Sequence, residues 1–548
     1  MASYPTIPHK PNLIPGVQHK FSTWRKGQCE AVKECMVAFN SNHKRFVAQA
    51  QPTGSGKSLS YLSVALLTNC RTLILTNTKG LQDQIMSEFA GLVTDIRGRN
   101  SYKCKVSSRY NCAEGPCRYG YNCQHKEARS CNYLKAVDKS NWAHIVITNY
   151  AYWITIGKMQ ESPIGDFDLL VLDEAHESDA ALMGFLTITI TSSLLRRTLG
   201  ESLPNSTSIH WWRTWAATIK SIAYERLNQE IDKNKGVGGE VIITQAIRDL
   251  ESLISHAEAI TEKVCLDWSI VFAPDKGGEG DCVNLFPVKL RYAEVEHHLF
   301  RGIENVILTS ATLCFKTLRL LDIPQASLVY TEYPSHFPIK NRPIYVLPSV
   351  RLKYGQPQAE LMCWLKQVDR IVDFRLDRKG IIHTHSFALR DFIYKNSRHR
   401  KLFYTNQTGN TASVVEAFKT AKAPAILLSP SMVSGWDFPY DQCRYQIVAK
   451  VPFPSLGDAM LAKRAEVDKD LTHYMTMLHL IQCCGRGVRS DDDTCETFIV
   501  DGNMKWWYGK YYPFAPKWFR EAIIKCTGVP VPAKLADSNS TERLGGVL

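Results

Sequence analysis

The stretch RFVAQAQPTGSGKSLSYLSVALL, residues 45–67, constrains this chain more than any other. An apolar segment runs through a glycine-rich turn into a helical pattern, the strand, loop and helix order that a phosphate cradle requires. Between Thr53 and Ser55, and again after it, Gly54 and Gly56 let backbone amides approach phosphates. Lys57 is placed to neutralise the β- and γ-phosphates of ATP, and Ser58 to hold Mg²⁺. The strict pattern wants glycine where Gln51 stands.

A second half-site follows in DFDLLVLDEAHES, residues 166–178. Leu169 to Leu172 form an apolar run that predicts a buried parallel strand, and its C-terminal end delivers Asp173 and Glu174 together. Alone, an acidic pair at a strand end is a solvated loop. With a phosphate cradle upstream, Asp173 suits Mg²⁺ through its water shell and Glu174 suits the water that attacks the γ-phosphate. A third element, LIQCCGRGVRSDDD at 480–493, reads as helix. Gln482, Gly485, Arg486 and Arg489 fall three and four apart, so both arginines are expected on one helix face, as a surface ion-pair stripe or as suppliers of positive charge to a γ-phosphate.

The chain of 548 residues predicts three or four units. Its N-terminal MASYPTIPHKPNLIPG lacks a secretory apolar core, so the expectation is an intracellular protein, cytoplasmic or nucleoid-associated and not secreted. No apolar run approaches the roughly 18 residues of a membrane span, so no membrane partner is expected.

In that reducing setting, disulfides explain poorly the run CKVSSRYNCAEGPCRYGYNCQHKEARSC at 104–131, which carries Cys104, Cys112, Cys117, Cys123 and Cys131. The spacings of seven, four, five and seven are mostly wider than the knuckles of structural zinc, favouring an iron–sulfur cluster while zinc and plain packing stay open. Net charge is +13, and residues 97–139 hold ten basic side chains against three acidic ones. Tyr102, Tyr110, Tyr119, Tyr121 and Tyr133 interleave with them. That mixture suits a single-stranded nucleic acid whose bases stack, or else a solvated loop.

With WRKGQ (24–28), TNTKGLQDQ (76–84), LTSATL (308–313), KGIIHTHSF (379–387) and SGWDFP (434–439) interposed in order, the motif set resembles the superfamily 2 iron–sulfur DNA helicases of the XPD/DinG family. YPSHFP, AKVPFPSLGD and YYPFAPKWF resemble further landmarks of that family. The resemblance implies an α/β fold of two RecA-like motor domains. The first spans 1–94, 141–179 and 291–314, interrupted by an iron–sulfur domain at 95–140 and a mainly helical arch at 180–290. Motor domain 2 spans 315–530, and 531–548 is a flexible tail.

The resemblance also implies adenine contacts from Arg25 and Gln28, nucleotide-site roles for His176, Asp437 and Gln482, and ATP and Mg²⁺ as cofactors. It implies a [4Fe–4S] cluster on Cys104, Cys117, Cys123 and Cys131. Cys112 is the spare, although Cys112, Cys117 and Cys123 are close enough to exchange roles. The implied activity is 5′→3′ translocation on single-stranded DNA and unwinding of fork-like or tailed duplexes. A translocase that remodels without separating strands would carry the same motifs, and a binding scaffold would have lost Lys57, Glu174 or Arg486. Ser434 departs from the family, which has glutamate there, and nothing in the chain implies a nuclease. The sequence names no protein partner.

Overall fold

The computed structural model describes residues 6–532 apart from 120, 158–161, 236–241, 276–279, 406–410, 431–435, 437, 456, 489 and 491. Two seven-stranded sheets, all parallel, organise it. In spatial order the first consists of Leu328–Glu332, Phe46–Ala50, Asn305–Ser310, Leu169–Asp173, Thr72–Thr76, Ile145–Asn149 and Thr94–Asp95. Its inner strands read as continuous apolar runs because helices cover both faces. Every residue of Phe46–Ala50, Thr72–Thr76 and Leu169–Asp173 is buried.

Register decides what the sheet can do. Ala50 pairs with Ser310 and Asp173 with Thr309, so three central strands end together at one rim. The phosphate turn, the acidic pair and the serine of LTSATL all emerge there, outside the carboxyl ends where open α/β sheets bind ligands.

The second sheet runs Phe403–Thr405, Ala425–Ser429, Lys379–His383, Tyr445–Val448, Glu496–Ile499, Ile344–Val346 and Ile523–Lys525. The expected boundary at 314/315 needs correction. Leu328–Glu332 pairs with Phe46–Ala50 through all five residues and is itself the edge strand of the first sheet. The chain therefore leaves the first sheet after Glu332.

Two excursions leave the first sheet. Residues 96–144 follow the edge strand Thr94–Asp95 and return by the helix Asn132–Trp142 to Ile145–Asn149. The second contains the helices Ser178–Leu186, Ser192–Leu199, Ile209–Lys233 and Gln245–Lys263. In the last of these Ile247, Leu250, Leu253, Ile254, Ala257 and Ile260 are buried at helical spacing. The mainly helical expectation missed an antiparallel sheet there, formed by Ile188–Thr191, Asp281–Pro287 and Trp268–Pro274. Two of its strands lie beyond the helical periodicity and bury their apolar residues through pairing instead. Among the described residues no helix is long and apolar enough to cross a membrane.

Candidate functional site

The phosphate turn joins Phe46–Ala50 to the helix Lys57–Thr68, with Gly54 at φ 73° and Gly56 at φ 78°. Both lie in the left-handed region that glycine enters without steric cost. Arg25 and Gln28 brace this turn from outside: Arg25 Nη1 donates to the Gly54 carbonyl at 2.6 Å, and Gln28 Nε2 to the Gly56 carbonyl at 3.0 Å. Gln28 Oε1 also accepts from the Arg25 amide at 2.7 Å. Thr53 and Ser58 are half-buried, and Ser55 is buried within the turn.

Across the rim, Lys57 Nζ meets Glu174 Oε1 at 3.0 Å. Glu174 has φ 51°, an uncommon conformation for a residue with a side chain and one concentrated at functional sites. Its other oxygen accepts from Ser310 Oγ at 3.1 Å, and Ser310 Oγ lies 2.7 Å from His176 Nδ1. His176 Nε2 in turn lies 2.8 Å from Gln482 Nε2. The same His176 nitrogen lies 3.2 Å from Glu177 Oε1, so the imidazole stands between Gln482 and Glu177 on one side and Ser310 and Glu174 on the other. A continuous polar relay thus runs from Gln482, on a helix over the second sheet, to Lys57 on the first.

Asp173 is buried, and its pKa is raised by that burial and then by the charge of Glu174. Burial acts on Glu174 in the same sense, but Lys57 and His176 outweigh it and hold Glu174 below the ordinary carboxylate range. The two neighbours are therefore driven apart, the arrangement that separates roles between paired carboxylates. The Tyr150 hydroxyl fixes the strand end by donating to the Asp173 carbonyl at 3.1 Å.

The third element differs from expectation. Its helix, Leu471–Cys484, stops at Gly485, so Arg486 lies in the turn beyond it and not on the helix expected to carry it. Two glycines within three residues end the helix, and Gly487 packs where a Cβ would stand 2.2 Å from Cys495 Sγ. Gly485 itself lies against Thr53 of the phosphate turn, with the threonine Cγ2 3.5 Å from where a Cβ would be. Arg486 Nη1 donates to the Trp436 carbonyl at 3.4 Å. Arg489 and Asp437 lie outside the described residues.

Ser310 is the participant that sequence reading left out of the site. Its signal was present, as a small polar residue at the C-terminal end of the apolar run NVILTS. A buried ion pair, absent from the motifs, also crosses between the two halves: Arg464 Nη2 meets both oxygens of Asp179 at 3.1 Å.

The five thiols of the 96–144 excursion converge. Cys112 Sγ is 3.7 Å from Cys131 Sγ. A Cβ on Gly115 would stand 3.3 Å from Cys104 Sγ, a tight contact, and 3.8 Å from Cys117 Sγ, an ordinary one. Burial, then the neighbouring Cys123, pushes the Cys117 thiol up, with Cys104 and Cys131 also within reach. Among the described residues no three His, Cys, Asp or Glu side chains are grouped to hold a single metal ion.

Residues 21–198 match the family model described as type III restriction enzyme, res subunit, and residues 376–522 the model described as helicase C-terminal domain. A DEAD-box ATP-dependent RNA helicase of Arabidopsis thaliana is 29% identical over 225 residues, covering 39% of this chain and 18% of that protein. A probable ATP-dependent helicase of Methanocaldococcus jannaschii is 28% identical over 196 residues, 30% of this chain and 29% of its own. The chain thus spans less than a third of the length of either curated relative. Among solved structures, an XPD helicase has a TM-score of 0.57 at 14% identity, covering 91% of this chain and 98% of its own. The Xpd4 of S. tokodaii has a TM-score of 0.56 at 14% identity, covering 91% and 100%. These likenesses establish the fold. With one family model on each parallel sheet and the polar relay joining them, the chain carries superfamily 2 helicase domains.

Proposed function

We propose that this chain is an ATP-dependent DNA helicase that moves 5′→3′ along single-stranded DNA and separates tailed duplexes. The observation that carries the ATP-driven part is the relay Gln482–His176–Ser310–Glu174–Lys57, which ties the second sheet to the phosphate turn. Incoming β- and γ-phosphates take Lys57 from Glu174. Glu174, with Ser310 and His176 still beside it, is then free to orient the attacking water, and Ser310 and His176 link its position to Gln482. Arg486 approaches from the second sheet, with Arg489 and Asp437 assigned to the same site by the motif resemblance alone.

Ser58 and the buried Asp173 are the residues that would hold Mg²⁺, whose contribution is to neutralise charge on the phosphate oxygens. DNA and direction rest on the motif resemblance. One sequence relative is named an RNA helicase, so RNA belongs in the test.

The cysteines supply the thiolates that a [4Fe–4S] cluster requires, five of them within one excursion. The resemblance assigns Cys104, Cys117, Cys123 and Cys131 to it and leaves Cys112, whose Sγ lies 3.7 Å from that of Cys131, as the spare. The cluster would supply a rigid core to a segment that has little of its own.

Strand displacement on 5′-tailed and 3′-tailed DNA and RNA duplexes, with ATP and Mg²⁺, tests the reading. Opening of the 5′-tailed DNA alone is expected. Opening of RNA, or of 3′-tailed DNA only, replaces the substrate or the direction, and ATP turnover without opening leaves a translocase. Glu174→Gln is expected to bind ATP and retain it unhydrolysed.

A further inference from the structure

The segment Tyr333–Pro338 connects the last strand of the first sheet to the second sheet, and its two aromatic rings face different ways. Tyr333 stays with the first sheet. Its amide donates to the Ala50 carbonyl at 3.0 Å, its hydroxyl to Glu34 Oε2 at 2.7 Å, and its ring rests on Gly27. Phe337, 3% exposed, belongs instead to the core beneath the second sheet, among Ile381, Phe418, Leu427, Phe438 and Val488. Yet the edge of that same ring lies on the phosphate turn of the first sheet. A Cβ at Gly54 would fall 2.5 Å from both Cε2 and Cζ of Phe337.

The backbone that carries the ring is anchored: the Phe337 carbonyl accepts from Arg342 Nε at 3.1 Å, and Arg342 Nη1 donates to the Trp518 carbonyl at 2.7 Å. Gly54 thus has no room to shift toward the ring unless the ring moves, and the ring cannot move without displacing its neighbours, because close-packed interiors transmit displacement. One neighbour, Val488, is two residues from Arg486. A change in the turn that holds phosphate is delivered in this way to the loop that carries the arginine.

We propose that Phe337 is a positioning residue that couples occupation of the phosphate turn to the placement of the second motor sheet. This rests on the reading of Gly54–Ser58 as an ATP cradle. Phe337 touches none of the groups expected to hold magnesium or the attacking water, so its removal should leave nucleotide binding in place while uncoupling it from movement.

The test places one fluorophore on each motor half and measures their separation by energy transfer as a non-hydrolysable ATP analogue is added, alongside analogue affinity and steady-state ATP turnover. In Phe337→Ala, affinity and KM are expected within about threefold of the unsubstituted chain, while kcat falls about tenfold or more and the analogue-induced change in separation is largely lost. Phe337→Tyr should restore both. Phe337→Leu, which keeps most of the volume, serves if the alanine variant does not fold, and is expected to lose part of the change. A full change in separation with unaltered kcat in a folded alanine or leucine variant overturns the proposal. So does a parallel loss of affinity, which would make Phe337 a wall of the cradle. If the unsubstituted chain binds no analogue, it is the ATP reading that has failed, independently of Phe337.

Discussion

The nucleotide cleft and the cysteine-rich segment are neighbours in sequence and are held together by opposite means. In the cleft, strand ends emerge from a fully buried sheet, and each functional side chain has a partner: Lys57 on Glu174, Ser310 on Glu174, His176 on Gln482. Between Ile96 and Tyr133, by contrast, Pro116 and Cys123 are the only buried side chains among the described residues. Among the described residues, regular backbone before the helix Asn132–Trp142 consists of the bridge Lys103 to Asn111 and helices of four residues or fewer. Its outer side is tied to the helix Gln245–Lys263 by two partly exposed ion pairs, Arg118–Glu251 at 3.3 Å and Arg248–Glu114 at 3.5 Å, of a kind worth little singly. The segment has little core of its own, whereas the cleft rests on the buried sheet beneath it.

The sharpest way to break this contrast is at Lys57. Lys57→Ala should lower ATP turnover on the order of a thousandfold, with single-strand binding retained in a filter or anisotropy assay. Loss of strand binding in that variant would mean that the two regions are not separable.

Next in size is the sulfur side. Oxygen-free protein should be brown with about four irons per chain. Cys117→Ser or Cys123→Ser should bleach it and open residues 96–131 to protease and to hydrogen exchange, while ATP turnover without nucleic acid stays near its starting value. Cys112→Ser should remain brown, and a bleached Cys112→Ser beside a brown Cys131→Ser would exchange the two assignments. Stoichiometric zinc in iron-replete material would sink the cluster.

A smaller effect is expected at the ion pair that joins the halves of the motor. Arg464→Ala leaves Asp179 buried without its partner and should cost about 3 kcal/mol in denaturant unfolding, leaving the iron content unchanged. An effect below about 1 kcal/mol would place this pair with the weak surface pairs of the cysteine segment.

The smallest concerns strand binding. Arg109→Ala should reduce the salt slope of single-strand affinity by about one. Arg118 is already engaged by Glu251, so its replacement should act on docking of the segment more than on the slope. Equal slopes in all variants would make the basic surface a solvated face.

Much of this was legible in the sequence because the chemistry is local. TGSGKS must follow a strand and open a helix to work, and the apolar run before Asp173 could only be a strand covered on both faces. Those signals lie within about ten residues of the groups they position. Ser310 escaped the site because its role depends on a register, Ala50 opposite Ser310 and Asp173 opposite Thr309, that no segment contains by itself. The helix expected to carry Arg486 stops short of it: periodicity continues past Gly485, but Gly487 packs against Cys495, eight residues further along the chain, and a turn forms there.

The sequence alone determined which lysine follows the glycine-rich turn, which carboxylates stand together, and that five thiols share one basic segment. The tertiary structure decided where the first sheet ends, at Glu332 and not before residue 315, and which groups touch across the cleft. It also brought Phe337 from the core of one sheet onto the phosphate turn of the other. Residue type and short spacing set local bonding capacity, whereas strand pairing and interdomain contact link positions more than a hundred residues apart, where only the packing of the whole chain selects the partner.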